Sequence, residues 1–161
     1  MIELVAVLVL LGILSTAAFS RFASVGSYED RVFRDTLLTS LRLTQRTALS
    51  HNASTIEWRL NRPVVESLRY AVDIDAVEQT GETLASSQVV TYTAGLTAGG
   101  YVAGQLDLNN TLTLRYDPSG NLIWAGNGVA SGALNSSMRL SVNGQLLCIS
   151  LTGFAYDGAC R

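Results

Sequence analysis

Two cysteines stand close together near the end of the chain, Cys148 and Cys160. In an oxidising compartment such a pair forms a disulfide; in a reducing one it is two free thiols. Closing a loop of about a dozen residues is worth roughly 3 kcal/mol in the chain-entropy account. A metal site needs more ligands than these two sulfurs, and the one histidine, His51, is far off in sequence. His51 can be grouped with a serine and an aspartate, but no nucleophile-elbow pattern supports hydrolysis. The chain has no lysine, hence no phosphate-loop Gly-Lys motif. Asp73 and Asp75 alternate at a strand edge, a pattern that fits a solvated loop better than a Ca²⁺ site. Tyr92, Tyr101, Tyr116 and Tyr156 suit either a surface that stacks sugars or bases or ordinary core and cross-strand packing. These residue types point to no reaction, no metal and no cofactor.

The acid with the most unusual setting is Glu3, the single charge in Met1–Phe19. Leu4 to Leu14 is apolar without interruption, and only Ser15 and Thr16 are polar before Phe19. As a helix, Leu4–Phe19 is about 24 Å long, and with Met1–Glu3 it approaches the roughly 30 Å hydrocarbon core of a bilayer. A helix apolar on every side belongs in lipid or in a protein core. Val5, Leu8, Leu11, Gly12, Leu14 and Phe19 are therefore expected to form a membrane helix. A secretory signal peptide opens with a basic region, which is absent. An ionisable group at the edge of such a segment is expected to be functional; otherwise it simply favours the positive end of the helix.

The run Ile2-Glu3-Leu4-Val5-Ala6-Val7-Leu8-Val9-Leu10-Leu11-Gly12-Ile13-Leu14 resembles the N-terminal helix of type IV pilins and type II secretion pseudopilins. Mature chains of that family begin Phe-Thr-Leu-Ile-Glu-Leu, after a basic leader ending in Gly. Aligned on Ile2-Glu3-Leu4, Met1 takes the place of the third mature residue, so the true start is expected upstream. The resemblance implies that Glu3, flanked by Ile2 and Leu4, compensates the terminal amine of a neighbouring subunit during assembly. In a low dielectric such a pair is far stronger than in water, and an unpaired charge is costly. The implied partners are other pilin or pseudopilin subunits, an inner-membrane assembly platform and, if the start lies upstream, prepilin peptidase.

The chain's 161 residues suit one domain plus an anchor. All eleven basic residues are arginine. From Arg21 to Arg62 seven arginines face four acids, and from Pro63 onward four face eight. The distal part is therefore acidic, with Arg139 and Arg161 the only basic residues near its end, and nucleic acid is not an expected partner.

Beyond Phe19, Gly26 and Ser27 weaken the helix, and a bend is expected there. Val32/Phe33, Leu37/Leu38, Leu41, Thr44 and Ala48/Leu49 recur at three- and four-residue steps as an apolar helix face, and a stop is expected near Ser50-His51-Asn52. From Ile56 the period becomes two: Ile56/Trp58/Leu60 and Leu68/Tyr70/Val72/Ile74 read as strands. Residues 75–87 read as a polar loop, 89–93 as a strand and 94–104 as a loop or edge segment. Leu106 and Leu108 could begin a strand that Asn109-Asn110 turns. Leu112–Tyr116 pairs through Asp117-Pro118-Ser119-Gly120 with Asn121–Trp124. Residues 126–137 read as a connection. Asn143-Gly144 joins Met138–Val142 to Leu146–Leu151 as a hairpin.

The expected fold is α+β: a long N-terminal helix, its first half (1–27) in the membrane and its second (28–52) amphipathic, packed on an antiparallel β-sheet head (53–161). The layout resembles the minor-pilin and H-type pseudopilin branch. The closing Leu147-Cys148-Ile149-Ser150…Gly153-Phe154-Ala155-Tyr156 is similar to a minor pilin of the mannose-sensitive haemagglutinin pilus. The resemblance implies a non-enzymatic minor subunit, with a single pass in the inner membrane and its head in the periplasm, later assembled into a filament. A DNA-binding minor pilin and a signal-anchored periplasmic protein are the alternatives.

Overall fold

Alternation of apolar and polar residues from Ile56 places Trp58 and Leu60 on one side of a strand and Glu57 and Arg59 on the other. In the computed structural model, which describes residues 2–22, 25–50, 55–62, 69–74, 82–85 and 88–161, this strand is β1 (Ile56–Asn61). It lies between β2 (Arg69–Ile74) and β6 (Thr111–Tyr116), antiparallel to both. The sheet continues through β3 (Glu82–Ala85) on one side. On the other it continues through β7 (Leu122–Gly126) and β8 (Ser131–Ala133), in the order β3-β2-β1-β6-β7-β8. A second antiparallel sheet has the order β11-β10-β9-β4-β5. Its strands are β4 (Val90–Gly95), β5 (Tyr101–Gln105), β9 (Met138–Val142), β10 (Gln145–Ile149) and β11 (Ala155–Asp157).

Register carries the core. In the first sheet Ile74, Trp58, Leu114 and Ala125 stand in one cross-strand row. In the second, Leu147, Leu140 and Tyr92 do the same. All seven are buried, and with the rest of both inner faces they form one apolar cluster. Sequence-distant strands thus bury about 1.5–3 kcal/mol per large side chain.

Two helices precede the sheets: α1 (Ile2–Phe22) and α2 (Val25–Ser50). On α2, Phe33, Leu37, Leu41, Thr44 and Ala48 recur at four- and three-residue steps and are buried, the stripe a surface helix needs to cover a sheet. The Trp58 indole N–H donates to Ser40 Oγ at 3.1 Å, tying α2 to β1. Gly26 and Ser27, where a bend is expected, are helical and belong to the first turn of α2.

The fold departs from the expected one in three respects. There is no single long N-terminal helix packed on a sheet: α1 and α2 are separate helices, and α2 alone makes the substantial helix–sheet packing. The β part is two sheets rather than one. Among the described residues no helix is long and apolar enough to cross a membrane. The uninterrupted run Leu4–Leu14 spans only about 16 Å as a helix, roughly half a hydrocarbon core, and polar Ser15, Ser20 and Arg21 follow within α1. A membrane helix of Val5, Leu8, Leu11, Gly12, Leu14 and Phe19, and with it a single-pass inner-membrane location, is thereby overturned.

Three smaller expectations also change. Residues 82–85 are strand β3, within the stretch read as loop, and residues 131–133 are β8, within the stretch read as a connection. Leu106 and Leu108 lie outside any strand, although a turn does follow at 108–109. Tyr101–Gln105 is an edge strand. The helix stop at His51-Asn52, together with Leu68, Asp75 and Gly81, lies outside the described residues.

Candidate functional site

Helix α1 turns its apolar side chains outward. Leu4, Val5, Val7, Leu8, Val9, Leu10, Leu11, Ile13 and Leu14 retain between 55% and 67% of their accessible surface. Glu3 lies in the first turn and is exposed. Ile2 and Phe19 are part of α1, with side chains outside the described set. At Gly12 a Cβ would meet no atom within 4 Å, so the helix surface is open there. The Ser15 hydroxyl, just past the run, donates to Leu11 O at 2.7 Å, which satisfies it within its own helix. A contiguous apolar surface of this length is uncommon on a lone soluble chain.

The second feature is the tail. Cys148 on β10 and Cys160 form a disulfide, with Cα atoms 5.1 Å apart. Asn143 and Gly144 take left-handed φ of 51° and 85°, which the tight β9–β10 hairpin requires. Polar groups of α2 grip the strands and turn that follow. Arg34 donates to Gln145 Oε1 at 2.8 Å and pairs with Asp157 at 3.2 Å. Arg42 Nε donates to Ala155 O at 3.0 Å, and its guanidinium lies 5.7 Å from the Phe154 ring. Gln45 Nε2 donates to Thr152 O at 2.9 Å and to Gly120 O at 3.4 Å, so one side chain clamps two turns.

The four tyrosines separate. Tyr92 and Tyr116 are buried, and burial raises both phenol pKa values. Tyr156 is half-buried, while Tyr101 is 71% exposed. No stacking surface of four rings exists. On the outer face of the first sheet, Glu57 accepts from Arg115 Nε at 2.5 Å and from Arg59 at 2.6 Å. The Arg115 guanidinium lies 4.3 Å from the Trp124 ring centroid. Burial alone pushes the Glu57 carboxyl up, but the two arginines together hold it below the usual glutamate range.

Of the other candidates, His51 and Asp75 lie outside the described residues, and Asp73 is on β2. Among the described residues no three His, Cys, Asp or Glu side chains gather as for a metal ion. Compared with protein-family models, with curated proteins and with solved structures, the chain matches none. Sequence reasoning missed the polar grip of α2 on the tail. Arg34, Arg42 and Gln45 lie on one side of the helix by spacing, but nothing local says which distant turn they meet.

Proposed function

We propose that the chain is a pilin-like, non-enzymatic minor subunit that assembles with like subunits into a filament of the type IV pilus or type II secretion kind. Association runs through α1, with Glu3 setting the axial register of one copy against the next. The observation that carries this reading is the outward apolar surface of Leu4–Leu14 on α1, which the other described elements leave uncovered. Helices of this kind bury that surface against one another, and the gain is roughly proportional to the area removed from water. Within such a bundle Glu3 would be costly unless a cation of the neighbouring copy faced it. A one-turn slip would leave the carboxylate unpaired, so pairing favours one register. The resemblance of residues 2–14 to pilin helices adds the terminal amine as that cation.

The test is a Glu3→Ala variant of the full chain, compared with wild type by negative-stain microscopy and by thermal melting. The expected outcome is fewer filaments, or filaments without a regular axial repeat, with the melting transition of the sheets unchanged. Filaments of normal number and repeat would refute the register role.

A further inference from the structure

The register of the second sheet lines up Tyr156, Cys148, Arg139, Thr93 and Ala103 in one row across all five strands. Residues paired across antiparallel strands share a face, and successive residues alternate faces. The adjacent row Leu147–Leu140–Tyr92 is in the core, so this row faces outward. Cys148, in the middle of an outward row, is nevertheless fully buried. The tail folds over it and is bonded there through Cys160. That bond, with a hydrogen bond from Arg161 N to Tyr156 Oη at 3.2 Å, brings Arg161 to the same cleft as Arg139, a residue distant in sequence.

Arg139 and Arg161 line one cleft of about 650 Å³ together with Thr93, Tyr101, Ser136 and Ser137. No side-chain carboxylate lines it, and among the described residues neither guanidinium has an ion-pair partner. Two cations in one cleft repel each other, and an anion between them relieves that repulsion. A planar guanidinium matches a carboxylate in geometry as well as charge. Hydroxyls of Thr93, Ser136 and Ser137 suit the hydroxyl groups of a sugar. The exposed Tyr101 ring offers an apolar plate with a polar tip. The volume lies in the ordinary range for small-ligand sites, roughly 300–1,000 Å³. A long polyphosphate is disfavoured, because the chain carries a net charge of −2 and its acids outnumber its arginines after residue 63.

We infer that this cleft binds a saccharide bearing a carboxylate, a uronic-acid unit, with Arg139 and Arg161 on the carboxylate and Tyr101 against the ring. The disulfide is part of the site, because it holds Arg161 in place. The site is separate from α1 and does not depend on how the chain assembles.

The test is calorimetric titration of the full oxidised chain with a galacturonic-acid trisaccharide, its neutral galactose counterpart, and a single-stranded 20-mer of DNA. Saturable binding of the acidic trisaccharide, about tenfold or more tighter than the neutral one, is expected, since one charge-assisted hydrogen bond is worth that much. Arg139→Gln and Arg161→Gln should each weaken it by a similar factor, with unchanged melting, since both residues are exposed. Reducing the disulfide should also weaken binding in wild type, but no further in Arg161→Gln. Equal affinity for acidic and neutral sugar, wild-type affinity in Arg139→Gln, binding of the DNA alone, or no heat at millimolar trisaccharide each overturns the inference.

Discussion

Leu8 and Leu11 keep 61% and 55% of their surface on α1, so replacing both by alanine asks what that surface does. Alanine is the strongest helix former, and the Leu8→Ala/Leu11→Ala chain should keep α1 intact. Full burial of a leucine is worth about 1.5–3 kcal/mol. Slightly more than half of each side chain remains to be buried by a partner, and alanine retains a little of that. The pair therefore forfeits about 2–3 kcal/mol per helix–helix interface, a roughly 30- to 150-fold weaker association. Nothing should change within the sheets, since neither residue belongs to their core. Sedimentation velocity across a concentration series reads the association, and circular-dichroism melting reads the fold. The reasoning fails if association is unaffected. It fails equally if the melting temperature drops, since α1 would then be covering its own sheets.

Two other expectations concern the fold that carries the sites. At Gly153 φ is +79°, and a Cβ would fall 1.9 Å from the Gly120 carbonyl oxygen. Gly153→Ala should therefore cost about 2–4 kcal/mol from backbone strain plus overpacking, read as a lower urea midpoint at unchanged m. Glu57 has its folded pKa below the usual glutamate value of about 4.3. Its contribution is present above that value and is lost as pH falls through the lower, folded value. Arg115 and Arg59 are partly solvent-exposed, so the contribution is about 1 kcal/mol or less. The stability gap between wild type and Glu57→Gln should be open at pH 7 and close toward pH 3; a gap that widens on acidification would contradict this account.

What was legible in the sequence is what neighbours along the chain decide. The period-two alternation of Ile56, Trp58 and Leu60 marks β1 because pleating alone sends those side chains to one face. Asn143-Gly144 marks a hairpin because those two residues tolerate the positive φ that the turn demands. Phe33, Leu37 and Leu41 mark the buried stripe of α2 by helical spacing alone. The proximity of Cys148 and Cys160 in sequence suggested their bond. Other features depended on partners far along the chain. β3, β5 and β8 are edge strands with one neighbour each among the described strands, so their residues carry little alternation to read. The division into two sheets follows from β1 choosing β6 and β4 choosing β9, pairings that no local pattern encodes. That α2 and not α1 packs on the sheets was decided by tertiary contacts, and which tyrosines lie in the core by sheet register. Arg139 and Arg161 are unremarkable as isolated letters. They share a cleft only because cross-strand pairing puts Cys148 opposite Arg139 and the disulfide then draws the tail across it.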